Sequence, residues 1–428
     1  MKVRLAYGET GMEIDVPAGR TVVVTPRQMR AVPDDRAAVL CALRRPTVGP
    51  PLRERVRPGQ TVAISMCDGT RPQPRHVMIP AVLDELEGIV DPSDIVVLVA
   101  TGTHRGNTPD ELAAMLGADV LERVRVVNHD ARDDASLRWC GEVLDVPVWL
   151  NREWVDADIR ITTGFVEPHF FAGFSGGPKL NAPGLAGLET TLVLHNAWRI
   201  GDPKATWGIT EGNPVHDAVR AIAAATGVDF MVDVLLDRDQ RIVEVCSGDL
   251  APAHAAACRA AKQLAMAPVA EEFDLVVTTN SGFPLDQNLY QSVKGMTAGA
   301  AVVKPGGTLI CAAECRDGFP DHGSYRAVLA SQPSPAALLR EIEAREATVP
   351  DQWQVQVQAR VQQRARVVMR TATLSEADLA AAHLGYTDDV TGSIREELAR
   401  LGSGARLCVL PEGPQTIPYL QSQNEVVV

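Results

Sequence analysis

The stretch richest in chemistry in this 428-residue sequence runs Glu167-Pro168-His169-Phe170-Phe171-Ala172-Gly173-Phe174-Ser175-Gly176-Gly177-Pro178-Lys179. Ser-Gly-Gly with a lysine two residues on can turn several backbone N–H groups toward an anion, with a cation beside them. It is not a Walker loop, because Pro178 precedes Lys179 and Leu180 follows it where glycine and Ser or Thr belong, so ATP hydrolysis finds no support. Taken alone, the pattern reads equally as a glycine turn with a solvated lysine. His169 upstream and His195 downstream weigh toward a site. A lysine amine also becomes a nucleophile when desolvation or nearby cations depress its pKa, so Lys179 is either a counter-ion or a point of covalent attachment. The residues themselves leave both open.

Three further stretches carry groups of the same kind. Cys67-Asp68-Gly69-Thr70-Arg71-Pro72 presents Arg71, whose planar fork can hold a carboxylate through two parallel hydrogen bonds, or can pair with a neighbour such as Asp68. In Thr101-Gly102-Thr103-His104-Arg105-Gly106 the glycines let backbone approach a ligand, and His104 is a candidate base. A single histidine is more often structural, but His104 with His169 makes a pair, and inversion at carbon needs two proton carriers. Tyr290, Gln291 and Lys294 fall on one face of a predicted helix, close to its N-terminus, where anions are favoured; an amphipathic helix with a solvated polar side has the same pattern.

The elements that must position these groups are α/β in pattern. Short β-branched runs at Val62 to Met66, Ile95 to Ala100, Val124 to Val127 and Ile159 to Thr163 alternate with helical segments, which argues for βαβ units and a mostly parallel, Rossmann-like sheet. Thr108-Pro109-Asp110-Glu111 offers an N-cap hydroxyl, proline at the first helical position and a capping-box glutamate, so His104 lies in a loop between a strand end and a helix start. Ligands of open α/β sheets bind at such loops. A second unit begins near Phe273: strand Leu275 to Thr279, helix Leu289 to Val303, the turn Pro305-Gly306-Gly307 and strand Thr308 to Ala312. Strand Arg366 to Thr371, a helix capped by Ser375, a helix from Ser393 to Leu401 stopped by Gly402, and strand Arg406 to Leu410 complete the pattern. The Ala-rich span from Ala251 to Ala270 reads as a helix leading to a hinge. The expected division is therefore residues 1–270 carrying the lysine loop, 271–405 closing an interdomain active-site cleft, and 406–428 returning to the first domain. The N-terminal 60 residues are the least readable.

A formal net charge of -13 leaves no basic stripe for a phosphate backbone and argues against nucleic acid as a partner. No pair of the 8 cysteines has the close two-residue spacing of zinc or redox motifs, so they read as reduced, mostly buried thiols. Met1-Lys2-Val3-Arg4 runs into polar sequence without an apolar signal core, and no stretch of about 18 apolar residues could span a bilayer. The expectation is a cytoplasmic protein without membrane contact.

Taken in order, the four stretches resemble the nickel-pincer nucleotide-dependent lactate racemase family over most of the chain, from about Asp68 to Trp353. Glu167-Pro168-His169 through Ser175-Gly176-Gly177 to Lys179, followed by His195, is the specific part; the Arg71 and His104 motifs support it. The resemblance implies an isomerase, a racemase or epimerase of a small, lactate-like 2-hydroxy acid. It also implies the cofactor: a pyridinium-3-thioamide-5-thiocarboxylic acid mononucleotide, covalent at Lys179, whose two sulfurs and ring carbon bind Ni(II), with His195 as the protein ligand. A nearly planar four-coordinate site with soft donors suits that ion. By the same resemblance His104 and His169 are general acid/base residues on opposite faces of the substrate, and Arg71 binds its carboxylate. Gln291, Lys294 and Trp353 contact the substrate, and Asp68, Ser175, Gly176 and Tyr290 help hold the nucleotide.

The implied reaction is reversible hydride transfer from C2 through a planar 2-keto acid. An imidazole of pKa about 6.5 can give or take the hydroxyl proton at neutral pH. The implied partners are the 2-hydroxy acid and the enzymes that build the cofactor. Sugar acids, malate and aromatic 2-hydroxy acids share the reacting fragment and are alternative substrates. A protein that binds or stores the nickel-pincer nucleotide without turnover is the alternative of another class, against which the retention of both His104 and His169 argues. A nicotinamide dehydrogenase lacks its Gly-x-Gly-x-x-Gly opening here.

Overall fold

A computed structural model describes residues 1–27, 29–320 and 323–421. The chain divides into two units, one formed by Gln28–His195 with Asp202–Leu264, the other by Met1–Arg27, Asn196–Gly201 and Ala265–Val428.

In the unit built on Gln28–His195, six strands pair in the order Ile242–Gly248, Phe230–Leu236, Ile159–Phe165, Val62–Cys67, Ile95–Ala100 and Arg125–Asn128. All neighbours are parallel except the first pair. Side chains alternate between the faces. Val62, Ile64 and Met66 join Val39, Leu43, Met78 and Val82 from the helices Asp35–Arg44 and Arg75–Leu86. Ala63, Val96 and Leu98 meet Trp154 and, from the helix Pro214–Thr226, Ala218, Val219 and Ile222. Burial on both faces is why these strands read as nearly continuous apolar runs. From Val62–Cys67 the chain builds outward one way through Ile95–Ala100 and Arg125–Asn128, then returns to its other side with Ile159–Phe165. The strand order therefore reverses at Val62–Cys67, and the loops following it and its neighbours open at one edge of the sheet. The helix Pro109–Leu116 starts in the expected capping box of Thr108 and Glu111.

The other unit carries a second six-stranded sheet, fully parallel, in the order Gly385–Tyr386, Arg366–Arg370, Val303–Ala312, Phe273–Thr279, Leu407–Leu410 and Thr21–Val23. Its core takes Leu275, Val277, Ile310 and Val409 from the sheet, Ile394 and Leu398 from the helix Val390–Leu401, and Leu5, Ile14 and Val16 around the hairpin of Lys2–Leu5 with Met12–Asp15. Buried Asp286 fastens that hairpin by accepting the Gly8 N–H at 2.8 Å and the Glu314 N–H at 2.9 Å.

Four expectations change. Residues 406–421 do not return to the first domain: Leu407–Leu410 lies inside the second sheet, hydrogen-bonded on both sides, and residues 422–428 fall outside the described residues. It is the N-terminus that crosses, because Thr21–Val23 completes the edge beside Leu407–Leu410, a pairing no local pattern encodes. The Ala-rich helix ends at Ala265, and Met266–Val269 becomes a strand paired with Ile417–Leu420. The helix Leu289–Ala300 stops short of Val303, where a ten-residue strand, Val303–Ala312, absorbs the expected glycine turn as a shift in register against Phe273–Thr279. Among the described residues no helix is long and apolar enough to cross a membrane.

Candidate active site

Asp68 follows the strand Val62–Cys67 and His104 follows Ile95–Ala100, its parallel neighbour, so the two loops leave the sheet side by side. His104 Nδ1 stands 2.8 Å from Asp68 Oδ2; the imidazole side chain is 42% exposed, the carboxylate 5%. Burial opposes charge on Asp68, but the hydrogen bond from His104, the charges of His104 and Arg71 and the Thr70 hydroxyl together hold its carboxyl below the usual range. An ionised Asp68 only accepts, so His104 Nδ1 carries a proton, and in the neutral imidazole the lone pair is on Nε2. Thr70 Oγ donates to Asp68 Oδ1 at 2.7 Å and receives Arg71 Nη1 at 3.0 Å, so Arg71 stands beside the same carboxylate. Arg75, unremarked in the sequence, locks this loop. Its buried guanidinium donates to the carbonyls of Cys67 at 2.9 Å, Gln73 at 2.8 Å and Arg71 at 2.7 Å, and to that of Asp68.

His169, Lys179 and His195 converge on one ring. Phe171 lies edge to face with His169 at 4.5 Å and with His195 at 5.4 Å, and Lys179 Nζ stands 5.8 Å from its centroid. The signal for Phe171 was its place in a Phe-Phe pair after His169 in a chain with 4% aromatic residues. His169 Nδ1 accepts the N–H groups of Ala172 at 3.2 Å and Phe171 at 3.5 Å, which leaves the ring hydrogen of the neutral imidazole on Nε2. His104 and His169 are thus held in opposite tautomers. His195 closes the helix Leu188–Leu194, and its Nδ1–H donates to Thr191 O at 2.7 Å, so the lone pair is on Nε2. A histidine steadied by a carbonyl at one nitrogen presents the other as a metal ligand. This loop and that of His104 are tied together: Gly102 N–H donates to Gly184 O at 2.9 Å, just beyond Lys179.

The Ser-Gly-Gly turn differs from the expected anion cradle. Ser175 N–H donates to Glu167 O at 2.9 Å, Lys179 N–H to Gly176 O at 3.1 Å, and Gly177 N–H to Asp233 Oδ2 at 2.6 Å. The Ser175 hydroxyl accepts from Glu167 N and donates to Phe165 O, both at 2.9 Å. The Gly177 amide faces inward because a carboxylate, Asp233, lies fully buried beneath the turn, with burial pushing its pKa up to about 7 against the hydrogen bonds from Gly177 and Gly164. Glycine is required for contact rather than for opening N–H groups. A Cβ on Gly176 would stand 2.4 Å from Asp233 Oδ2 and one on Gly177 2.5 Å from the His254 ring, both at positive φ, 73° and 50°.

In the other unit, Asn288 caps the helix Leu289–Ala300 by accepting the Gln291 N–H at 3.0 Å, which sets Tyr290, Gln291 and Lys294 in its first turns. Tyr290 meets Tyr325 edge-on at 5.3 Å, and Gln354 donates to the Tyr290 carbonyl. That bond ties this end to the start of the helix Gln352–Arg364, where Trp353 lies buried. The sequence candidates thus form two groups, Asp68, Arg71, His104, His169, Ser175, Gly176, Lys179 and His195 in one unit and Tyr290, Gln291, Lys294 and Trp353 in the other.

Comparison with known proteins bears on this arrangement. Residues 7–208 match the lactate racemase N-terminal domain and residues 269–417 the lactate racemase C-terminal domain. The lactate racemase of Thermoanaerobacterium thermosaccharolyticum is 32% identical over 421 residues, 97% of this chain and 98% of its own. That of Lactiplantibacillus plantarum is 35% identical over 365 residues, 85% of this chain and 86% of its own. The structure of the Thermoanaerobacterium lactate racemase apoprotein aligns with a TM-score of 0.92 at 31% identity, covering 99% of this chain and all of that one. A protein from Thermotoga maritima, TM-score 0.64 at 18% identity over 90% of this chain and 97% of that one, shares the fold.

Proposed function

The chain belongs to the lactate racemase family, and on that premise we propose that it is an isomerase that interconverts the enantiomers of lactate or a closely similar small 2-hydroxy acid. The observation that carries the reading is the pair of opposite tautomers. His104 presents an Nε2 lone pair and His169 an Nε2–H. Inversion at a carbon bearing a hydroxyl needs one group to take the hydroxyl proton and another to hold a proton on the other side of the substrate. His104 takes it at Nε2, and ionised Asp68 stabilises the imidazolium that results. His169 holds hydrogen at Nε2 while the loop amides occupy its Nδ1. A neutral imidazole does not give up its last ring hydrogen, so His169 returns a proton to the keto oxygen only as the imidazolium, and the reverse reaction starts with His104 as the imidazolium and His169 neutral. Arg71 binds the substrate carboxylate, and Gln291, Lys294 and Trp353 are assigned to the substrate by family likeness.

The residues present fit the family's cofactor. Lys179 would hold a nickel-pincer nucleotide through its amine, and His195 Nε2 would ligate the metal; Asp68, Ser175, Gly176 and Tyr290 are assigned to the nucleotide by family likeness alone. When bound, that group supplies the acceptor and donor of the C2 hydride. Phe171, packed between His169 and His195, keeps water from the side they share.

The test is a chiral assay of protein produced together with the cofactor-building enzymes, against single enantiomers of lactate, malate, sugar acids and aromatic 2-hydroxy acids. Inversion of lactate is the expected outcome. Inversion of another member alone would redirect the substrate, and none, with nickel and the Lys179 adduct present, would favour binding or storage of the nucleotide. Asp68→Asn leaves Thr70 and Arg71 in place but removes the ionised acceptor, so kcat/KM should fall on the order of 10²-fold. An unchanged value would detach Asp68 from His104 in the reaction.

A further inference from the structure

We infer that Asn213, His216, Asp233 and His254 are positioning residues that together clamp the backbone of residues 171–177, and so set the placing of His169 at one end of this stretch and Lys179 at the other. The stretch is held by little regular structure, only the two-residue pairing of Pro168–His169 with Gly173–Phe174. Four buried side chains from three elements meet further polar groups of its backbone. Asn213, which caps the helix Pro214–Thr226, donates from Nδ2 to Phe171 O at 2.9 Å. His216, in the first turn of that helix, donates from Nδ1 to Ala172 O at 3.1 Å. His254, in the helix Leu250–Ala265, donates from Nε2 to Ser175 O at 2.9 Å. Asp233, in the strand Phe230–Leu236, receives Gly177 N–H at 2.6 Å. The clamp also accounts for both glycines of the turn, since a side chain at either would enter it.

The chemistry of the four suits the task. The rings of His216 and His254 stack at 5.6 Å, and burial, reinforced by their neighbours, pushes His216 down to about 3 and His254 down to about 4. Both are therefore neutral imidazoles with one N–H each, committed to a carbonyl, and they add no positive charge beside Lys179. Asp233 accepts from Gly177 whether or not it carries a proton. Not one of the four is needed to touch substrate or cofactor; each acts through the loop.

The test compares His254→Leu and Asp233→Leu, which remove a bond, with His254→Gln and Asp233→Asn, which keep a donor or an acceptor. Two readouts are taken on protein whose unfolding temperature and circular dichroism match the parent. One is the rate at which an acylating reagent labels Lys179 in protein made without cofactor, relative to exposed Lys2 and Lys262, by peptide mass spectrometry. The other is the intact-mass adduct of protein made with the cofactor-building enzymes. The leucine variants should change relative Lys179 labelling by about tenfold and lower adduct occupancy by a similar factor, as displaced supporting residues do, and the polar variants should restore both. Folded leucine variants that label Lys179 at the parental rate would overturn the inference, as would polar variants as impaired as the leucine ones. The four bonds are separate, so a variant that fails to fold is replaced by its counterpart at Asn213 or His216. The adduct readout rests on the proposed function. Absence of adduct in the parent as well would count against that function, while the labelling rates still decide the clamp.

Discussion

Lys179→Ala should fold normally, carry no covalent nucleotide and show no racemisation above the uncatalysed background. The side chain is half-buried on a single 3-10 turn, Gly177–Leu180, whose backbone bonds, Gly177 N–H to Asp233 and Lys179 N–H to Gly176 O, an alanine keeps. Truncation therefore removes the amine without opening a core cavity. Lys179→Arg sharpens the result. Arginine keeps the charge but stays protonated and cannot be acylated in the same way, so a counter-ion role would survive it and an attachment role would not. Intact mass separates the cases: a parental adduct on either variant refutes the attachment, whereas nucleotide retained by the arginine variant without a mass shift would make Lys179 a counter-ion.

Replacing His104 or His169 with asparagine should lower kcat/KM by about 10² to 10⁴, the range for a lost proton carrier. The factor must be the same in both directions, because the ratio of the two kcat/KM values is the equilibrium constant, which no variant alters and which is one for enantiomers of equal free energy. The individual kcat values are under no such constraint. The two histidines are held in different tautomers, so the variants should differ in which enantiomer saturates at the higher rate. Progress curves from each pure enantiomer measure both quantities. A ratio of the two kcat/KM values that differs from one, by the same amount in parent and variants, would mean that the products are not mirror images and that the protein is an epimerase acting on a substrate with a second stereocentre.

Legibility in the sequence followed the range of the interactions. The strands Val62–Cys67 and Ile95–Ala100 and the cap at Thr108 were visible because apolar runs and capping boxes are local. Asp68, Arg71 and His104 could be grouped because each lies in a loop that follows a strand of the parallel sheet. The inward turn of the Gly177 amide was not visible, since its acceptor is Asp233, a carboxylate in the otherwise apolar strand Phe230–Leu236. Asn213, His216 and His254 form no motif with it, and only the fold makes them neighbours. The helix Gln352–Arg364 misleads more directly: Trp353-Gln354-Val355-Gln356-Val357-Gln358 alternates like a strand. It is a helix whose glutamines meet backbone carbonyls on other elements, Gln354 that of Tyr290, Gln356 that of Ala197 and Gln358 that of Ala382. Such residues read as a polar face in sequence and are buried in the fold.

The pairing of Thr21–Val23 with Leu407–Leu410 also constrains how the protein comes off the ribosome. Thr21–Val23 has no neighbour in this sheet until Leu407–Leu410 has been synthesised, an interval of roughly 20 to 80 s at ordinary rates of translation. During that time the N-terminal hairpin trails as an unsatisfied, apolar-faced segment of the nascent chain. A message truncated anywhere before Leu407 would release a product whose opening residues have no sheet to join, a ready substrate for chaperones and proteases.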